Sequence, residues 1–326
     1  MTQTLCLLNP HAQGGRLRLR ASALRQAVVK QAPAAVWEQP ESVEEAQDLI
    51  RRLPRGSRVL AFGGDGTVNR WLPALLEGGH TLGLVPLGSG NDLARALGVF
   101  GMPWAEALEC ALTSPASLMD VGTVELAGPQ DPAYLAGIGS TCCNVPFLSS
   151  LAVGFDASVG LRALQGPRWL RGQPRYLWAT LRELMQLRSW NLELSAEVAC
   201  ASEGEDSLRW HGRVLLASTL NTRSYGSGMP AAPEARIDDG RLDLLRAQAM
   251  GRAGVLTLLP RLLRGTHLSD PRVSLQTFQT LQVQAHGPVP LAVDGEYLGA
   301  FNRFAVSVLP GRLPVVMATK SARFGK

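Results

Sequence analysis

The stretch of this chain that speaks most directly to chemistry is Phe62-Gly63-Gly64-Asp65-Gly66-Thr67-Val68-Asn69. It follows an apolar run, Val59 to Phe62, expected to be a buried strand, and it opens an expected helix at about Thr67. Glycine at 63, 64 and 66 lets the backbone come close to a ligand, and Thr67 can cap the helix. A helix start presents N–H groups and the positive end of its dipole to a phosphate. Asp65, held among the glycines, is then placed to engage a magnesium ion carried by phosphates. The plainer alternative is a tight turn with an incidental acid.

Two further stretches repeat the arrangement. Pro86-Leu87-Gly88-Ser89-Gly90-Asn91-Asp92 follows the apolar run Leu82 to Val85; Ser89 brings a hydroxyl, and Asn91 or Asp92 can cap the helix expected from Leu93 to Leu97. Asn9-Pro10-His11-Ala12-Gln13-Gly14-Gly15 follows the strand-like Leu5 to Leu8. In an open parallel sheet, ligands bind at the carboxyl ends of strands, so three such turns converge on one crevice. Neither GxxxxGK[ST] nor GxGxxG occurs, so phosphate binding follows another scheme. Near the end of the chain, Val293-Asp294-Gly295-Glu296-Tyr297 offers two carboxylates for proton transfer, or a hairpin turn, since Asp-Gly favours type I′.

Stepping outward, residues 16–30 have an amphipathic helical pattern with Leu17, Leu24, Ala27 and Val28 on one face. Ser42 with Glu45 forms a capping box that opens a helix to about Leu53. Strand–turn–helix units of this kind imply a parallel sheet flanked by helices. After about Val124 the character changes. Residues 125–150 are rich in Gly, Pro and Ser, and short strand-like runs follow (Leu192 to Val198, Arg213 to Leu216, Leu242 to Leu245, Leu281 to Gln284, Phe304 to Val308). They suggest an antiparallel second domain, interrupted by a helix at roughly 175–188.

The 326 residues suffice for two domains, and 46% apolar with 18% charged residues is a globular balance. The net charge of +5 comes almost wholly from Arg, with Lys only at 30, 320 and 326. That suits an anionic ligand or an anionic membrane surface, but no basic run or recognition signature points to nucleic acid. The five cysteines (6, 110, 142, 143 and 200) lack metal-like spacing and suggest reduced thiols in a cytoplasmic protein. The five His are scattered. The N-terminal stretch lacks the basic n-region and apolar length expected of a signal peptide, and no window of ~18 apolar residues suggests a membrane span.

The glycine turns and the late Asp294-Gly295-Glu296, in this order, resemble the catalytic domain of the diacylglycerol kinase family, which includes sphingosine, ceramide and bacterial lipid kinases. Val153-Gly154-Phe155-Asp156-Ala157 resembles the family's GFDA segment, and Pro233 to Asp243 its P-x-A…DGxLD segment. The resemblance implies an α/β fold: a Rossmann-like nucleotide-binding domain with a parallel sheet, residues 1–124 with a return of 310–326, and an antiparallel β-sandwich domain, 125–309, for the lipid. It implies an ATP-dependent kinase acting on a lipid hydroxyl, with ATP against Asn9, Pro10, His11, Gly14, Gly15, Gly63 to Asn69 (Gly64, Asp65, Gly66, Thr67 and Val68 between), Ser89, Asn91 and Asp92. Asp65 would hold Mg2+ and nucleotide, and Asp294 and Glu296 would supply the general base, their division left open. A structural magnesium would sit at Asp239 with the carbonyls of Arg236 and Arg241. Asp65→Ala and Asp294→Ala are each expected to abolish transfer with the fold intact.

This chain departs from the family pattern at Ala12, where serine is usual, and at Gln13, where glycine is usual. Arg162, Arg168, Arg171, Arg175, Arg182 and Arg188 interleave with Trp169, Tyr176, Trp178 and Trp190, either a packing helix with a solvated Arg face or a peripheral contact with the inner membrane face. A homodimer is also compatible with exposed strand edges. The rival readings are an NAD kinase, disfavoured by Gly88 to Asp92 and Asp294 to Glu296, and a nucleotide-binding regulator without catalysis, disfavoured by the retained acids.

Overall fold

The structure, a computed structural model, describes residues 2–10, 12–88, 90–126, 144–167, 169–170, 173–197 and 208–318. The chain divides into two compact units, 1–119 with 311–326, and 120–310.

In the first unit four parallel strands, β1 (Thr4–Leu8), β2 (Val36–Glu38), β3 (Arg58–Gly63) and β4 (Thr81–Pro86), lie in the order β2-β1-β3-β4. Val315, near the chain end, pairs in parallel with Leu82 on the far side of β4. Strands β1 and β3 are continuous apolar runs because both faces are covered; Leu5 to Leu8 and Val59 to Phe62 are all buried. Helices α1 (Ala21–Gln31), α2 (Val43–Arg51), α3 (Asp65–Gly78), α4 (Asp92–Ala96) and α5 (Trp104–Thr113) make the connections. The chain leaves β1 toward β2, then crosses to β3 on the other side of β1. Loops after β1 and β3 therefore meet at a switch point of the strand order.

The capping box forms at α2, where Ser42 Oγ accepts from the Glu45 N–H (3.1 Å). Its return arm reaches one residue further than the motif predicts, since Glu45 Oε2 accepts from the Glu41 N–H (2.7 Å). The helix expected over 16–30 is in two parts. A 3₁₀ run, Ala12–Arg20, precedes α1, which starts only at Ala21. Leu17, Leu24 and Val28 are nevertheless buried on one face.

The second unit is antiparallel. Its strands are β5 (Ala116–Leu126, entering from the first unit), β6 (Asn144–Phe147), β7 (Ser150–Val153), β8 (Trp190–Glu197), β9 (Leu208–Leu220), β10 (Leu242–Gln248), β11 (Val273–Phe278), β12 (Thr280–Val293) and β13 (Glu296–Val316, ending in the first unit). The order runs β11-β10-β9-β7-β12-β13, with β8 also between β9 and β12. The long strands β9 and β12 pair with β8 along one part of their length and with β7 along another. One core cluster, including Phe147, Leu244, Phe278 and Phe304, fills its inner face.

Three helices cover a second cluster: α6 (Phe155–Leu164), α7 (Gln173–Leu184) and α8 (Arg252–Arg264). The sequence patterns indicate only α7. Helix α6 starts from Gly154 at φ 94, and α8 lacks a polar cap and carries Pro260 within it. Both hide their starts from a search for Ser, Thr, Asp or Asn caps. Among the described residues, no helix is long and apolar enough to cross a membrane.

Candidate active site

In the first unit the three turns meet at adjacent strand ends. The Asn9 N–H donates to the Phe62 carbonyl (3.3 Å), and the Leu87 N–H to the Gly63 carbonyl (2.7 Å). Asn9 Nδ2 also donates to Thr67 Oγ1 (2.9 Å). The Thr67 hydroxyl thus ties the first turn to the second and does not cap a helix; α3 begins at Asp65, behind Gly64, with no side-chain cap. Val68 and Asn69 are buried in the first turns of α3, and Pro10 is buried after β1. Gly14 and Gly15 lie in the 3₁₀ run, Gly15 at φ 85, so no α-helix N-terminus opens at that turn. His11 and Ser89 lie outside the described residues.

The glycines are spent on contact between turns. A Cβ on Gly64 would fall 2.7 Å from Gly88 Cα, and one on Gly88 would fall 2.5 Å from Gly64 Cα. A Cβ on Gly63 would collide with the Thr67 side chain at 2.6 Å. Only bare backbone lets the second and third turns lie against each other.

Asp65 binds across this junction. Its Oδ2 accepts from the Asp92 N–H (2.8 Å) and its Oδ1 from the Leu93 N–H (3.1 Å). Asp65 therefore caps α4, a role the sequence assigns to Asn91 or Asp92. Asn91 stands at the cap position in the left-handed region (φ 58) and turns its Nδ2 back to the Gly88 carbonyl (2.9 Å). Its Oδ1 is buried and accepts no hydrogen bond among the described residues. Asp92 is buried in the first turn of α4.

In the second unit, Asp294 and Gly295 connect β12 to β13 with positive φ at both (47 and 88). That is the hairpin conformation Asp-Gly favours. The Asp294 carboxylate accepts from three backbone N–H groups: Leu148 (2.8 Å) on Oδ2, and Ser149 (2.8 Å) and Ser150 (2.9 Å) on Oδ1. The Asp294 N–H in turn donates to the Ser150 carbonyl (2.9 Å). Asp294 thus fixes the β6–β7 corner, and Glu296, half-buried, is held one residue beyond the turn. Asp65 and Asp294 both hold backbone donors, so alanine at either removes an anchor of its loop as well as a carboxylate.

Two further acidic features have displaced carboxyls. Asp156 accepts from Ser218 Oγ (2.5 Å) and the Ala157 N–H (3.0 Å), yet burial pushes its carboxyl up to about 6. At the DGxLD turn, Asp239 Oδ1 accepts from the Arg241 N–H (3.1 Å), while Asp120 Oδ2 accepts from the Gly240 N–H (2.7 Å). Burial, and then the charge of Asp120, raise the Asp239 carboxyl. Burial, and then the charge of Asp239, push Asp243 up to about 6. Arg236 points its guanidinium at Asp238 (3.4 Å).

Among the described residues, no three Asp, Glu, His or Cys side chains group closely enough to hold a metal ion. A magnesium ion at the Asp239 turn would thus need main-chain carbonyls and water besides carboxylates, which its chemistry accepts. Crowded acids there fit a cation, and the orphaned Asn91 Oδ1 beside Gly64 and Gly88 fits a ligand that brings a donor or a metal.

A family model for the diacylglycerol kinase catalytic domain matches residues 3–124, and one for the YegS C-terminal NAD kinase beta sandwich-like domain matches 149–317. The diacylglycerol kinase of Mycobacterium tuberculosis (strain ATCC 25618 / H37Rv) is 30% identical over 79% of this chain and 76% of its own. A Chromohalobacter salexigens protein named "Probable lipid kinase YegS-like" is 28% identical over 98% and 94%. A crystal structure of a diacylglycerol kinase from Bacillus anthracis str. Sterne shares the fold, with a TM-score of 0.66 over 97% of both chains at 16% identity. With both parts of the chain matched in order and a relative at this identity, the chain belongs to the diacylglycerol kinase family of lipid kinases.

Proposed function

We propose that this lipid kinase transfers the γ-phosphoryl group of ATP to a hydroxyl of a lipid such as diacylglycerol. The observation that carries the reading is the junction of three turns at the switch point of a parallel sheet, where Asn9, Gly63 to Thr67 and Gly88 to Asp92 are locked together. Backbone N–H groups at the start of α3 would receive phosphate oxygens, and the tight turn contact keeps bulky side chains from that surface. Positioning and charge neutralisation are most of what phosphoryl transfer asks of a protein.

Glu296 is the general base in this reading, taking the proton from the lipid hydroxyl as the oxygen attacks the γ-phosphorus. Asp294 positions it. This division is supported by the three backbone donors that already engage the Asp294 carboxylate. Magnesium, when bound, would neutralise phosphate charge; Asp65 would hold it on the nucleotide side, and Asp239, with the carbonyls of Arg236 and Arg241, would hold a structural ion.

The test is transfer of label from γ-labelled ATP, with magnesium, to lipid alcohols in mixed micelles and to NAD in solution. A labelled lipid supports the proposal and names the substrate. Label on NAD, or no label with ATP bound, overturns it.

A further inference from the structure

Helices α7 and α8 leave aliphatic side chains in water. On α7 and just past it, Leu177, Leu181 and Met185 are 47%, 47% and 64% exposed at i, i+4 and i+8, a single stripe. Leu256 and Leu263 on α8 are 48% and 45% exposed. The opposite sides of the helices are not loose: Ala179, Leu184, Val255 and Leu258 are buried in one shared cluster. The Arg252 guanidinium joins the helices, donating to the Leu184 carbonyl (3.1 Å) and the Met185 carbonyl (3.0 Å). Trp169, 80% exposed, precedes α7.

Three of the four aromatic residues singled out in the sequence lie elsewhere. Tyr176, Trp178 and Trp190 pack against the buried cluster, so they serve the core.

The exposed charged residues of the two helices are arginines. Helix α8 contains Arg252, Arg261 and Arg264 and no acid of its own, and Arg261 pairs with the buried Asp270 (3.5 Å). The only acid of α7 is Glu183, buried and bound by Arg162 at 2.6 Å, while Arg182 and Arg188 are exposed. We infer that this face of α7 and α8 docks on an anionic lipid surface, with leucine and methionine entering among the headgroups and arginine meeting the phosphates. A second copy of the chain is a poor occupant, because a two-fold contact through this face would set the arginine rim against itself. The choice of lipid over another protein rests on the proposed function as well as on charge.

The experiment is vesicle co-sedimentation without nucleotide, comparing phosphatidylglycerol with phosphatidylcholine at low and high salt. The wild type is expected to bind phosphatidylglycerol vesicles, more weakly in high salt. Leu181→Gln with Met185→Gln should weaken partitioning about tenfold or more, with Tm unchanged because both sites are exposed. Arg182→Gln should weaken it about fivefold. Failure of the wild type to bind, unchanged binding by the folded double variant, or a dimer that this variant dissociates would overturn the inference. Vesicle binding without lipid phosphorylation would sink the proposed function alone. Phosphorylation of a dispersed short-chain diacylglycerol without vesicle binding would sink the docking face alone.

Discussion

Asp65-Gly66 and Asp294-Gly295 are the same dipeptide in two different backbones. The first begins a helix, and its carboxylate reaches 27 residues along the chain to cap another helix at Asp92 and Leu93. The second turns a hairpin, with Asp294 at φ 47, and its carboxylate gathers three N–H groups from the corner at Leu148 to Ser150. In the first unit the glycines serve close approach of one turn to the next. In the second, Gly295 serves a left-handed conformation with no atom nearer than 3.9 Å to an added Cβ. An acid beside glycine is thus a way of anchoring a loop, and the chemistry is built on anchored loops.

Removing the anchors should separate the two cases by size. Asp294→Ala strands three N–H groups at buried positions, and a loss on the order of 4 kcal/mol is expected in thermal unfolding. A Tm equal to wild type would show that water replaces the carboxylate freely.

Asp156 is the contrasting carboxyl, raised by burial to about 6. A raised acid holds its proton more tightly in the folded chain. Its contribution is therefore fully present below about pH 4 and lost as pH rises through 6, at most about 3 kcal/mol. Asp156→Asn should flatten that part of the stability–pH curve; an unchanged curve would remove Asp156 as its source.

The glycine contrast is tested next. Gly88→Ala should cost about 2 kcal/mol by collision with Gly64 and weaken ATP binding. Gly295→Asn should be nearly neutral, since Asn tolerates positive φ. The reverse order in calorimetry would break the distinction. Among the alanine variants the smallest effect is expected from Asp65→Ala, about 1 kcal/mol for a lost cap, with ATP binding impaired.

Strands β1, β3 and β4 were legible because fully covered parallel strands are unbroken apolar runs, and the hairpin at Asp294 because Asp-Gly favours a type I′ turn. The sequence also places the turns at strand ends. It could not show which side chain caps α4, because Asn91 and Asp92 look like caps locally and the true acceptor is Asp65 in another turn. Asp120 escaped notice for the same reason: its partner, the Gly240 N–H, is 120 residues away. Helix α8 was hidden by Pro260 and by a glycine at its start. Local propensity shows elements and turns; long-range hydrogen bonds decide which acid does what.

The most direct measurement is label transfer from γ-labelled ATP to diacylglycerol by the wild type and by Glu296→Gln, compared at equal folded protein. The account predicts a labelled lipid from the wild type, and a kcat ~10²–10⁴-fold lower in the variant with KM little changed. Wild-type turnover in folded Glu296→Gln, or no labelled lipid from the wild type, would contradict it.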